Sequence, residues 1–131
     1  MEHPNATALR RLYDAAAAGD VDGIVAGMTP DVVWHVPGRS TNSGTYKGPE
    51  EVLGFLGTAA ERTGGTLSLT VHRVFADDEW GVVLTTYTAT REGAQLENNL
   101  AHVVRMVDGR IAESWYHSRN QYEVDDFWGR P

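Results

Sequence analysis

Five histidines and no cysteine set the chemistry open to this chain. Without a thiol there is no disulfide, no thiolate metal site and no cysteine nucleophile. Two histidines stand inside β-rich runs. His35 alternates with Val33 on one side of residues 31–36, and Val32, Trp34 and Val36 take the other side. His102 shares its parity with Asn98, Leu100, Val104 and Met106. The same alternation groups Val83, Thr85 and Tyr87, and separately Ser114, Tyr116 and Ser118. A histidine gives or takes a proton near neutral pH. Two of them facing one apolar cavity can act as base and acid for enolisation, elimination or ring closure. A phenol beside them can donate a hydrogen bond to a developing oxyanion. Each position also suits a satisfied core side chain, and that alternative stays open here.

Other chemistries have less to stand on. A metal set of His35, His102 and a carboxylate lacks a closely spaced histidine pair, and the nearest acids, Asp31 and Glu113, lie on faces the pattern leaves undefined. No metal is expected. Glycine-rich dinucleotide loops, phosphate-binding loops and nucleophilic serine elbows are absent from the sequence, so no cofactor is expected.

The elements that must position these residues change character along the chain. Leu9, Leu12, Tyr13 and Ala16 recur at helical spacing, with Asn5 or Thr7 as a cap and Gly19 as a stop. Asp20 caps a short second helix carrying Val21, Ile24, Val25 and Met28, and Thr29-Pro30 ends it. Residues 31–36 read as a short strand and residues 39–44 as a loop. Gly48-Pro49-Glu50-Glu51 opens a third helix, because proline fits the first turn and acids suit its positive end. Its apolar face holds Val52, Leu53, Phe55, Leu56, Ala59 and Ala60, and Gly64-Gly65 closes it. From Thr66 the period becomes two. Residues 66–75, 79–91, 95–107 and 110–117 read as four strands joined by turns at Asp77-Asp78, Glu92-Gly93-Ala94 and Asp108-Gly109. Tyr122, Phe127 and Trp128 make residues 120–131 apolar enough to dock on the body.

The chain has 131 residues and a net charge of −7, which suits one domain and opposes a nucleic-acid partner. Residues 1–5 lack the basic start and apolar run of a signal peptide, and no stretch reaches the ~18 apolar residues of a spanning helix. A cytoplasmic protein with no membrane partner is expected.

Several segments resemble one superfamily. Ala18-Gly19-Asp20-Val21-Asp22-Gly23-Ile24-Val25 resembles the turn between the first two helices of ketosteroid isomerases. Asp31-Val32-Val33-Trp34-His35-Val36-Pro37-Gly38-Arg39-Ser40, then Gly44-Thr45-Tyr46-Lys47-Gly48, resembles the SnoaL-like polyketide cyclases, as do Val103 through Glu113 as a last hairpin and Asn120 through Trp128 as a tail. The resemblance covers nearly the whole chain and implies an α+β cone of the nuclear transport factor 2 type. Three helices would pack on a strongly curved, mostly antiparallel sheet, as a single domain over residues 1–131.

In that superfamily the concave sheet face lines an apolar pocket for a small molecule. The resemblance places the isomerase base at His35, its acidic donor at His102, its helix-one tyrosine at Leu12 and the cyclase aspartate at Tyr116. Tyr13 stands one residue from the tyrosine position, about 100° around the helix. The carboxylates of both families are thus replaced. The implied catalytic set is His35, His102 and Tyr116, with Leu12, Thr85, Tyr87, Asn98, Leu100 and Ser114 binding substrate. The expectation is a cofactor-independent isomerase, cyclase or dehydratase acting on an apolar carbonyl compound. A non-catalytic binder and a ligand-free structural dimer are the alternatives. Homodimerisation is expected through the outer sheet face, where Trp80, Val82 and Leu84 would otherwise be exposed. Trp34 and Trp115 are expected on that same outer side.

Overall fold

A computed structural model describes residues 2–129. Met1, Arg130 and Pro131, which the single-domain reading includes, lie outside the described residues. The elements run α1 (Pro4–Ala18), α2 (Val21–Ala26), β1 (Met28–Val36), β2 (Gly44–Lys47), α3 (Gly48–Arg62), β3 (Ser68–Ala76), β4 (Trp80–Arg91), β5 (Ala94–Val107), β6 (Arg110–Ser118) and α4 (Gln121–Trp128). One six-stranded sheet has the order β2-β1-β6-β5-β4-β3. All its pairings are antiparallel except β1 with β6.

The meander falls where the period of two places it. Its β4–β5 and β5–β6 turns set Glu92 and Asp108 at positive φ, each followed by a positive-φ glycine, the geometry that matches strand twist in tight hairpins. Helix α1 lies against β3, β4 and β6. Its close seat depends on Gly81 of β4, where an added Cβ would stand 2.7 Å from Leu9 Cδ1. The start of α1 is fastened to the body. His3 caps it by accepting from Asn5 N–H at 3.0 Å, and Asn5 Nδ2 donates to Asp77 O in the β3–β4 turn at 3.0 Å.

Four expectations shift. Met28 opens β1 rather than closing α2, so Pro30 sits within a strand. Of the apolar residues assigned to the second helix, Ile24 and Met28 are buried, while Val21 and Val25 are exposed. The loop before α3 ends in a short strand, β2. The tail is a fourth helix, capped by Asn120, whose side chain accepts from Glu123 N–H.

Two apolar clusters fill the interior. The larger joins Leu9, Leu12, Val32, Trp34, Val52, Val104 and Ile111 beneath α1 and α3. The smaller joins Ala59, Ala89, Leu96, Val124, Phe127 and Trp128 beneath α4. Tyr122 is on the other side of α4 and is exposed. Two arginines hold the end of α4: Arg91 donates to Phe127 O at 2.7 Å, and Arg62 donates to Trp128 O. Cations on the last carbonyls complement the helix dipole.

Candidate functional site

Pleating of β4, β5 and β6 puts the expected residues on one inner face. Val83, Thr85, Asn98, Leu100, His102, Val104 and Ser114 are buried there, and Tyr87 and Tyr116 are half-buried. His102 lies opposite Tyr116 in the β5–β6 register, and their ring centres are 4.7 Å apart at 72°.

Strand β1 contradicts the expectation. Val32 and Trp34 point inward, at 0% and 3% exposure, and His35 points outward. Alternation groups these residues correctly but does not say which group faces in. Burying the indole together with Val32 outweighs burying one imidazole beside Val33. His35 therefore does not meet His102. It donates from Nε2 to Glu113 Oε2 at 2.7 Å and stacks on Trp115, ring centres 5.5 Å apart at 16°. Glu113 also faces Arg105 at 3.8 Å. Trp115 lies outside as expected, whereas Trp34 does not.

The second correction concerns helix α1. Leu12 is part of the apolar core. Its neighbour Tyr13 reaches the site instead, with its hydroxyl 2.6 Å from His102 Nδ1. The phenol is the stronger acid, so it donates to Nδ1 and leaves the second ring nitrogen, Nε2, carrying the proton. Sequence reasoning had the signal, a tyrosine one place from the expected donor. A helical rotation of 100° does not stop a long side chain from leaning across.

Trp34 completes the cluster. Its ring lies 5.0 Å from His102 and 5.7 Å from Tyr116, both edge-on. Phe55 of α3 stands 6.0 Å from Tyr116 and 4.8 Å from Tyr46. Tyr13, Phe55, Tyr87 and Tyr116 remain half-buried on this inner side. Farther along the face, Tyr87 accepts from Trp128 Nε1 at 3.2 Å, and Asn98 donates to Ser118 Oγ at 3.0 Å.

Burial governs the protonation of this cluster. It pushes His102 down from the usual 6.5 to about 3, so the ring is neutral at physiological pH. Burial pushes Tyr13 up. It pushes Tyr116 well up, with the neighbouring Tyr13 and Tyr87 adding to the effect. The cluster is thus a set of uncharged hydrogen-bonding groups in apolar walls. Among the described residues no aspartate or glutamate is buried.

Two surface depressions lie elsewhere. One, of about 400 Å³, lies along Arg62, Arg91 and the β4–β5 turn. The other, of about 540 Å³, runs over the outer sheet face past His72, Leu84, Asn99 and His117. Neither contains a buried titratable group. Among the described residues no helix is long and apolar enough to cross a membrane.

The SnoaL-like domain family matches residues 9–114. An uncharacterized protein of Mycobacterium tuberculosis strain H37Rv is 30% identical over 122 residues, 92% of each chain. Bal32a, from a soil-derived mobile gene cassette, superimposes with a TM-score of 0.92 at 30% identity, covering 96% of this chain and 97% of its own. TerC, solved in co-crystals with polyporic acid, superimposes with a TM-score of 0.83 at 25% identity, covering 95% of this chain and 98% of its own.

Proposed function

The chain belongs to the SnoaL-like domain family, and from that premise we propose that its cone binds an apolar carbonyl compound and promotes cofactor-independent chemistry on it. The reaction is of the isomerase, cyclase or dehydratase type. The observation that carries the reading is the Tyr13–His102 hydrogen bond inside aromatic walls. His102, held as a neutral ring by burial, polarises the carbonyl oxygen from Nε2. Tyr116, its ring centre 4.7 Å from that of His102, walls the same spot. Polarisation makes the neighbouring C–H acidic, and its proton leaves to water, no aspartate or glutamate being buried among the described residues. TerC's polyporic acid adds support from a relative.

The test is hydrogen–deuterium exchange next to the carbonyl of 1-tetralone in heavy water, followed by NMR. Exchange above the buffer rate, saturating with ketone and lost in His102→Ala, is the expected result. Saturable binding with exchange at the buffer rate contradicts catalysis and leaves the second reading, a binder without turnover. The lack of a buried aspartate or glutamate among the described residues favours that reading.

The outer sheet face is proposed to pair with a second copy. Trp80 and Leu84 are 45% and 36% exposed there, and Trp80 lies 5.9 Å from Trp115. Exposed apolar area of this kind marks an interface. Sedimentation should give a dimer at micromolar concentration and a monomer for Trp80→Glu. A monomeric parent protein would contradict the pairing.

A further inference from the structure

Three buried polar side-chain atoms among the described residues have no hydrogen-bond partner: Trp34 Nε1, His102 Nε2 and Ser114 Oγ. They do not lie in separate corners of the molecule. Trp34 of β1 sits beside Ser114 of β6 in the parallel register. Ser114 in turn sits beside Val104 of β5, two residues along the strand from His102. The rings of Trp34 and His102 are 5.0 Å apart. All three side chains are at most 3% exposed. A buried polar group without a partner is costly, and native interiors hold few of them. Here three fall on adjacent positions of one face.

The chemistry of that partner follows from what the three atoms offer. The indole Nε1 can only donate. The Tyr13 hydroxyl at Nδ1 commits the other nitrogen of His102 to donation as well. The Ser114 hydroxyl rotates to donate or accept. The set thus presents up to three donors, none of them charged and none beside a buried cation. A full carboxylate would enter as an uncompensated buried charge. A ketone, quinone or enol oxygen meets the donors without that penalty, and the rings of Tyr116 and Phe55 stand 6.0 Å apart on the same side.

We propose that Trp34 Nε1, His102 Nε2 and Ser114 Oγ form a three-point receptor for one uncharged carbonyl or enol oxygen on a cyclic apolar ligand. This receptor rests on the pocket reading above and specifies the group the pocket recognises. Trp34 and Ser114 are binding residues in it, and Tyr13 is a positioning residue that sets the tautomer of His102.

Two probes of one skeleton test it: 1-tetralone, which carries the ketone, and tetralin, which does not. Binding is measured by calorimetry, and the Trp34 indole N–H is followed by NMR. The ketone should bind more tightly, and the Trp34 N–H resonance should move with the ketone and not with the hydrocarbon. Each donor removed, by Ser114→Ala or Trp34→Phe, should reduce the ketone's advantage by about fivefold. Tyr13→Phe should reduce it as well, while leaving tetralin binding intact. Equal affinity for the two probes, or the same Trp34 shift with both, overturns the receptor while leaving the pocket standing. No binding of either probe overturns the pocket reading and the receptor with it. If Trp34→Phe does not fold, the Ser114→Ala comparison and the N–H shift in the unaltered protein still decide the matter.

Discussion

His35 and His102 lie on strands separated only by β6, yet they occupy different chemical worlds. His102 is fully buried, bonded to a phenol, walled by aromatic rings and held neutral. His35 is on the outer face, bonded to a carboxylate and stacked on a half-buried tryptophan. The difference comes from strand phase and not from residue type. A histidine turned inward loses its water and with it the charged form. One turned outward keeps solvent and finds an acid. The lesson is that a titratable residue in a strand acquires its chemistry from the face it occupies.

This contrast can be broken at several points. The largest effect should come from the two tryptophans that share the histidines' faces. Trp34→Ala should cost about 3–5 kcal/mol in urea unfolding, the usual cost of emptying a core aromatic site. Trp115→Ala, at the half-buried outer surface, should cost clearly less. Equal losses would erase the distinction between the faces.

Next in size is Tyr13→Phe. Removing the hydroxyl leaves Nδ1 of a buried ring unpaired, which should cost about 1–3 kcal/mol. A loss within error would mean that the 2.6 Å contact carries no energy.

The pH dependence of stability comes third. His102 is pushed from 6.5 to about 3 in the folded protein, so the unfolded chain binds the proton more readily. Its contribution is fully present above the unfolded value. It is lost as pH falls through the window between the two values, at up to about 1.4 kcal/mol per pH unit. His102→Asn should flatten the slope of unfolding free energy against pH within that window. An unchanged slope would show that His102 takes up its proton without unfolding.

The smallest effect should belong to His35→Ala. Its partner pair is partly exposed, and such pairs contribute about 0–1 kcal/mol. Ketone binding in the cone should not change. A large loss of binding would place His35 at the site after all.

How much of this was legible in the sequence depended on the element. The meander was readable because period-two patterning and Asp-Gly and Glu-Gly turns leave little freedom of register. On β4, β5 and β6 alternation grouped His102, Tyr116, Ser114, Thr85, Leu100 and Asn98, and the family resemblance supplied which group faces inward, where the structure has them. β1 failed for a definite reason. Parity says which residues share a face, and only the relative bulk of Val32 and Trp34 against Val33 and His35 says which face is covered. The clue was there in Trp34, the largest apolar side chain of the strand. Tyr13 was missed because helical angle describes where a side chain starts and not where it ends. The fourth helix was hidden because residues 121–128 are short and polar on one side, and their order comes from docking Val124, Phe127 and Trp128 under two arginine clamps.

The central claim is that the cone's histidine is a neutral hydrogen-bond donor fixed by Tyr13. Nitrogen NMR of the His102 ring tests it most directly, in a titration between about pH 8 and about pH 5. The expected spectrum shows a protonated Nε2 and an unprotonated, hydrogen-bonded Nδ1, unchanged across the range and altered in Tyr13→Phe. A ring that protonates within that range, or that carries its proton on Nδ1, would contradict the account.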